Sequence, residues 1–129
     1  MKKLLSILSV ISLVLIIGCN QSDDNLSDEE KIVGMWEAYW AVDYESNNEY
    51  SMEEGIQVFE FKKNGTIVHT EHFEYIKVGN YVLDGDILKA YYQESNNTRT
   101  RHYRIVSLDR HELKLDLLDG RQWFFKRIK

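Results

Sequence analysis

His111–Lys129 reads HELKLDLLDGRQWFFKRIK, and within it Leu113, Leu115 and Leu117 alternate with Glu112, Lys114 and Asp116. A period of two is what a β-strand needs to present one apolar and one polar face. Asp119-Gly120 follows, a dipeptide that closes tight hairpins because it accepts positive φ. Beyond it Trp123, Phe125 and Arg127 fall on a single face. The stretch predicts an antiparallel hairpin of two strands, about 112–118 and 121–128, dry on one side and wet on the other.

The same grammar extends back through the chain and predicts six more strands, at about 32–44, 56–62, 66–72, 74–83, 86–93 and 100–108. Asn64-Gly65 and Asp84-Gly85 mark further hairpins, and Asn96-Asn97 a looser connection. In the first strand Trp36, Ala38, Trp40, Val42 and Tyr44 are assigned to one face, with Glu37, Tyr39 and Asp43 on the other. The second sets Phe59 and Phe61 against Glu60 and Lys62. No proline interrupts any of these runs, and helical apolar spacing is sustained nowhere after residue 18. The expected fold is all-β: an eight-stranded antiparallel up-and-down barrel, whose closure removes exposed strand edges.

The first thirty residues follow a different logic. Lys2 and Lys3 precede an apolar run from Leu4 to Ile17 and then Gly18-Cys19, the layout of a secretory signal. About 20 apolar residues are needed to span a bilayer, so this run is too short to do so. Ile16-Ile17-Gly18-Cys19 resembles the lipobox of bacterial lipoproteins, which implies removal of residues 1–18 and lipidation of Cys19. The chain has one cysteine, so an intrachain disulfide is excluded, and lipidation accounts for a thiol that would otherwise be a liability outside the cell. Each buried methylene contributes roughly 0.8 kcal/mol, so two or more chains anchor stably. Residues 19–31 form an acidic tether, NQSDDNLSDEE from Asn20 to Glu30, too polar to offset its ordering entropy and therefore expected to be flexible. Gln21-Ser22-Asp23-Asp24 resembles the export signal that sends lipoproteins of Bacteroidota to the cell surface. The implied address is the outer membrane, lipid-anchored and surface-exposed, with the folded domain at 32–129.

Gly34-Met35-Trp36 resembles the G-x-W motif of the lipocalin family, and Arg127 the arginine that packs over that tryptophan. Phe61-Lys62-Lys63-Asn64-Gly65-Thr66 and Phe125–Ile128 are similar to stretches of bacterial lipocalin-like lipoproteins. The resemblance implies a barrel that binds a small hydrophobic ligand. Strand parity independently brings Trp36 to Arg127, because an even number of strands sets the last antiparallel beside the first. A guanidinium over an indole contributes roughly 0.5–2 kcal/mol, so the pair is expected to plug one end structurally. Parity also gathers the longest connections, 45–55 and 94–99, at the opposite end, where a ligand would enter.

Trp40, Tyr44, Phe61, Tyr81, Tyr92, Tyr103 and Trp123 are the candidate ligand-binding interior, with Phe59 and Phe125. Aromatic walls with hydroxyl handles suit an apolar or amphipathic molecule, yet a barrel of eight strands also needs such side chains simply to be filled. His69, Glu71 and His72 do not make a metal site, since His72 points away from the other two on a strand. No nucleophile and base, paired carboxylates or phosphate loop stands out, so neither catalysis nor a cofactor is expected. Loss of Lys2 and Lys3 takes the formal charge from −5 to −7, and with no basic cluster nucleic acid is not an expected partner. The alternative to a ligand binder is a non-catalytic protein-interaction or inhibitor/immunity-type envelope lipoprotein with a filled barrel.

Overall fold

A computed structural model describes residues 26–129; the signal segment, Cys19 and Gln21–Asp24 lie outside the described residues. One helix, α1 (Asp28–Ile32), precedes β1 (Gly34–Asp43), β2 (Asn48–Ser51), β3 (Gln57–Phe61), β4 (Thr66–Glu71), β5 (Tyr75–Asp84), β6 (Ile87–Glu94), β7 (Asn97–Leu108), β8 (Glu112–Asp116) and β9 (Arg121–Arg127). All neighbours are antiparallel, and β1 pairs with both β3 and β9. Eight strands therefore close a barrel. The ninth, β2, hydrogen-bonds to the Trp40–Asp43 half of β1.

Four expectations need correction. Residues 28–32 are helical rather than part of a structureless tether or of the first strand. Ser27 accepts a hydrogen bond from the Glu30 amide while Glu30 accepts from that of Ser27, a capping box that holds the short turn. Tethering by fully buried Ile32 adds what so few residues could not supply alone. Segment 45–55 contains β2, whose four side chains are all exposed, so that it leaves no apolar alternation to read. Segment 94–99 is not a long loop: Glu94 faces Asn97 across a two-residue turn with Ser95 at φ 48°. Finally, β1 does not keep one face along its length. Ala38 pairs with Phe125 and Trp40 with Phe124, so one extra residue, Tyr39, bulges out and resets the alternation. Ala41 then points inward, and Trp40, Val42 and Tyr44 do not.

The end of the barrel nearest α1 is closed. Trp36 and Ile32 are fully buried there, and the Trp36 indole N–H donates to the Ile32 carbonyl at 2.8 Å. Arg127 lies 4.4 Å from the Trp36 ring centroid. Its Nη1, Nη2 and Nε donate to the carbonyls of Val33 (2.7 Å), Lys31 (2.5 Å) and Arg110 (2.6 Å). The guanidinium thus satisfies carbonyls at the end of α1 that have no helical partner.

Gly34 makes this approach possible. It sits at φ +139°, and a β-carbon there would overlap Arg127 Nη1 and lie 2.6 Å from the Lys129 carbonyl oxygen. Gly34→Ala is expected to lower stability by about 1–3 kcal/mol in urea unfolding, from backbone strain and displacement of Arg127. A change below about 0.5 kcal/mol would show that the closed end tolerates a shifted guanidinium.

Candidate functional site

From the plug upward the lumen is filled by rings. Phe59 and Phe125 stack at 5.2 Å and 22°, Phe61 meets Phe59 edge-on at 5.8 Å and Tyr81 at 5.1 Å, and Trp123 tilts over Phe125 at 6.2 Å. Such offset and edge contacts add to area burial and leave no channel through the lower half.

Of the candidate interior residues, Phe61, Tyr92, Tyr103 and Trp123 are buried in this core, and Tyr81 packs against it with its hydroxyl donating to the Lys62 carbonyl at 2.9 Å. Trp40 and Tyr44 do not join them. The bulge at Tyr39 turns Trp40 outward, where its indole N–H donates to Glu49 at 3.2 Å; Tyr44 is 54 % exposed and its hydroxyl donates to Gln122.

Above the rings, at the end opposite α1, the inward face changes character. The residue that follows each aromatic toward this mouth, two positions along its strand, is polar: Gln57 before Phe59, Arg101 before Tyr103, Arg121 before Trp123. With His69, Glu71, Leu117 and Asp119 they line a cavity of about 290 Å³ floored by Tyr103 and Trp123. A larger hollow of about 580 Å³ lies at the closed end, between α1, Lys63–Gly65 and Tyr81–Leu83. The mouth cavity is the better candidate because several polar groups converge on it from different strands.

One wall is a continuous polar chain. Lys77 bonds Glu71 at 3.2 Å, Gln57 Nε2 donates to the second Glu71 oxygen at 3.4 Å, and Gln57 Oε1 lies 2.6 Å from His69 Nε2. Burial lowers the His69 pKa to about 4, so the imidazole is neutral near pH 7 and Nε2 carries the proton given to Gln57. Burial alone would raise the Glu71 carboxyl, but hydrogen bonding from Lys77 and the nearby His69 keep it below its ordinary value. Opposite, Arg121 grips Asp119 through Nη2 and Nε at 2.6 and 3.1 Å and sits 5.7 Å from the Trp123 ring. The Tyr92 hydroxyl and the Trp123 indole N–H are buried with no hydrogen-bond partner among the described residues.

His69 and Glu71 share the inward face, whereas His72 lies in the β4–β5 turn at φ 51°. Gln57, Arg101, Asp119 and Arg121 were not singled out as site residues from the sequence. Their signal was an inward strand position occupied by a polar residue at the mouth end of several strands.

No protein-family model and no curated protein matches the chain. Among solved structures it is similar to a lipocalin-like protein from Bacteroides uniformis ATCC 8492, with a TM-score of 0.61 and 15 % identity over 76 % of this chain and 99 % of the other. It is also similar to an uncharacterized protein from Bacteroides eggerthii DSM 20697, with a TM-score of 0.62 and 14 % identity over 74 % and 98 % of the two chains. Identity this low speaks to the fold, and the chain is folded as a lipocalin-like antiparallel barrel of eight strands with one strand added.

Proposed function

We propose that this chain is an envelope lipoprotein, anchored in the outer membrane through a lipidated Cys19 and displayed on the cell surface, whose barrel receives a small amphipathic ligand at its mouth and performs no catalysis. The observation that carries the reading is the cavity of about 290 Å³ above an aromatic floor, walled by polar side chains from several strands. That volume is roughly the liquid share of ten waters, which suits a compact molecule with a short apolar body. The filled lower lumen argues against a long buried chain. The signal segment, the lipobox-like Ile16–Cys19 and the acidic run after it support the address.

Octanoate and octan-1-ol titrated into the full chain test the reading. A saturable, one-to-one shift of tryptophan emission is expected for at least one probe, and Trp123→Phe should remove most of it because Trp36 is sealed under Arg127 and Trp40 lies outside. A flat response to both probes would overturn the ligand-binding reading.

A second reading, a protein-interaction or immunity-type lipoprotein, is favoured by one observation. Phe73, Tyr75 and Ile76 beside the mouth are 67 %, 63 % and 61 % exposed, on and after a turn in which His72 and Phe73 both hold positive φ. Strained turns that display apolar side chains suit contact with a partner surface.

A further inference from the structure

We infer that the mouth is built for a monoanion, with Arg101 holding the carboxylate of the ligand; this rests on reading the mouth as the binding site. The basic side chains around the opening have their carboxylates, with one exception. Lys77 holds Glu71 at 3.2 Å, Arg99 holds Glu94 at 3.1 Å and Arg121 holds Asp119 at 2.6 Å. Arg101 lines the cavity and makes no hydrogen bond or ion pair among the described residues. It shares the inward face of β7 with buried Tyr103 and pairs across to Ala90 on β6, whose methyl leaves the space beside it open.

Donors and acceptors around the cavity are unequal in the same sense. Its charged acceptors already hold cations or donors: Glu71 is bound by Lys77 and Gln57 and Asp119 by Arg121, while Gln57 Oε1 faces His69. The unmet charge is on the donor side, in the guanidinium fork of Arg101. A cationic ligand would find both carboxylates already engaged. A carboxylate brings two acceptor oxygens in the plane that a guanidinium matches, and a permanently charged arginine supplies the countercharge. A dianion is disfavoured, because Glu71 and Asp119 flank the same space and only one cation lining it lacks a carboxylate among the described residues. The aromatic floor takes the apolar body.

Calorimetric titration of the full chain with octanoate and with octan-1-ol, the same chain length without the charge, separates the inference from the reading beneath it. Octanoate is expected to bind at least about tenfold more tightly than octan-1-ol, as a charge-assisted bidentate pair should allow. Arg101→Gln, at an exposed position, should bring the ratio within about twofold by weakening octanoate alone. Equal affinity for the two probes, or a ratio unchanged in Arg101→Gln, overturns the anion assignment while leaving the mouth as a binding site. Absence of binding by either probe overturns both.

Discussion

Trp36→Ala is expected to cost about 3–5 kcal/mol of stability, the largest loss of any single truncation in this domain. The indole is fully buried and is the hub of the closed end. Its N–H meets the Ile32 carbonyl at 2.8 Å, and Arg127 packs 4.4 Å from its centroid while donating to the carbonyls of Lys31, Val33 and Arg110. Alanine would remove the transfer energy of the ring, leave a cavity under α1, strip the Ile32 carbonyl of its donor and deprive Arg127 of the surface it stacks on. Trp36→Phe keeps most of the volume and should lose only about 1–2 kcal/mol, the hydrogen bond and part of the stack. A double-mutant cycle with Arg127→Met should return a coupling of about 1 kcal/mol, because the two side chains are in contact. Urea unfolding of the parent, Trp36→Ala, Trp36→Phe, Arg127→Met and the double mutant measures all of this. A Trp36→Ala loss under about 1 kcal/mol would mean that the end is sealed by α1 and backbone rather than by the tryptophan.

What the amino-acid order revealed, and what it concealed, divides at a height within the barrel. In the lower half the interior is dry, and each inward position must be apolar to offset the cost of closure, so alternation writes itself into the chain as Phe59 and Phe61, Leu113 and Leu115, Trp123 and Phe125. That half, and the pairing of Trp36 with Arg127, follow from period and parity. Toward the mouth both faces of the strands are wet, and the alternation disappears. Residues 97–99 therefore read as loop although they extend β7, and Asn48–Ser51 read as loop although they pair with β1. The bulge at Tyr39 left no mark at all. Trp40, Val42 and Tyr44 continue an apolar pattern in phase with Trp36, and the shift is forced only by the partner strand, where Ala38 and Trp40 must meet successive residues Phe125 and Phe124. The mouth cavity was hidden for the complementary reason. Arg101 and Arg121 stand at inward parity, but a charged residue is ordinarily assigned to the solvent face. Where a barrel opens, a charged residue two positions beyond a buried ring is the informative one.

Lowering the pH from about 6.5 toward 4 is expected to destabilise the domain through His69 by about 3 kcal/mol. His69 is 6 % exposed, its ring 4.3 Å from that of Phe59, and burial lowers its folded pKa from 6.5 to about 4. Between those values the unfolded chain binds a proton that the folded chain refuses, so stability must fall as pH falls. The contribution is fully present above pH 6.5 and lost once the pH drops through about 4. A tenfold change in proton affinity between the folded and unfolded chains corresponds to about 1.4 kcal/mol, which sets the size of the loss. The carboxylates with lowered pKa values, Glu71, Asp109 and Asp119 among them, work in the same direction but only below their own unfolded values of 4.5 and 3.8. The slope between pH 6.5 and about 5 therefore belongs to the imidazole. Protonation there would also set a cation against Lys77 and Arg101, opposed by the attraction of Glu71. Urea midpoints measured at pH 7, 6, 5 and 4.5 should fall steadily in the parent chain and stay nearly level to about pH 5 in His69→Gln, which can still donate toward Gln57. An equal slope in the two proteins would place the titrating group elsewhere and remove the physical basis for a neutral His69 that donates to Gln57 at the mouth.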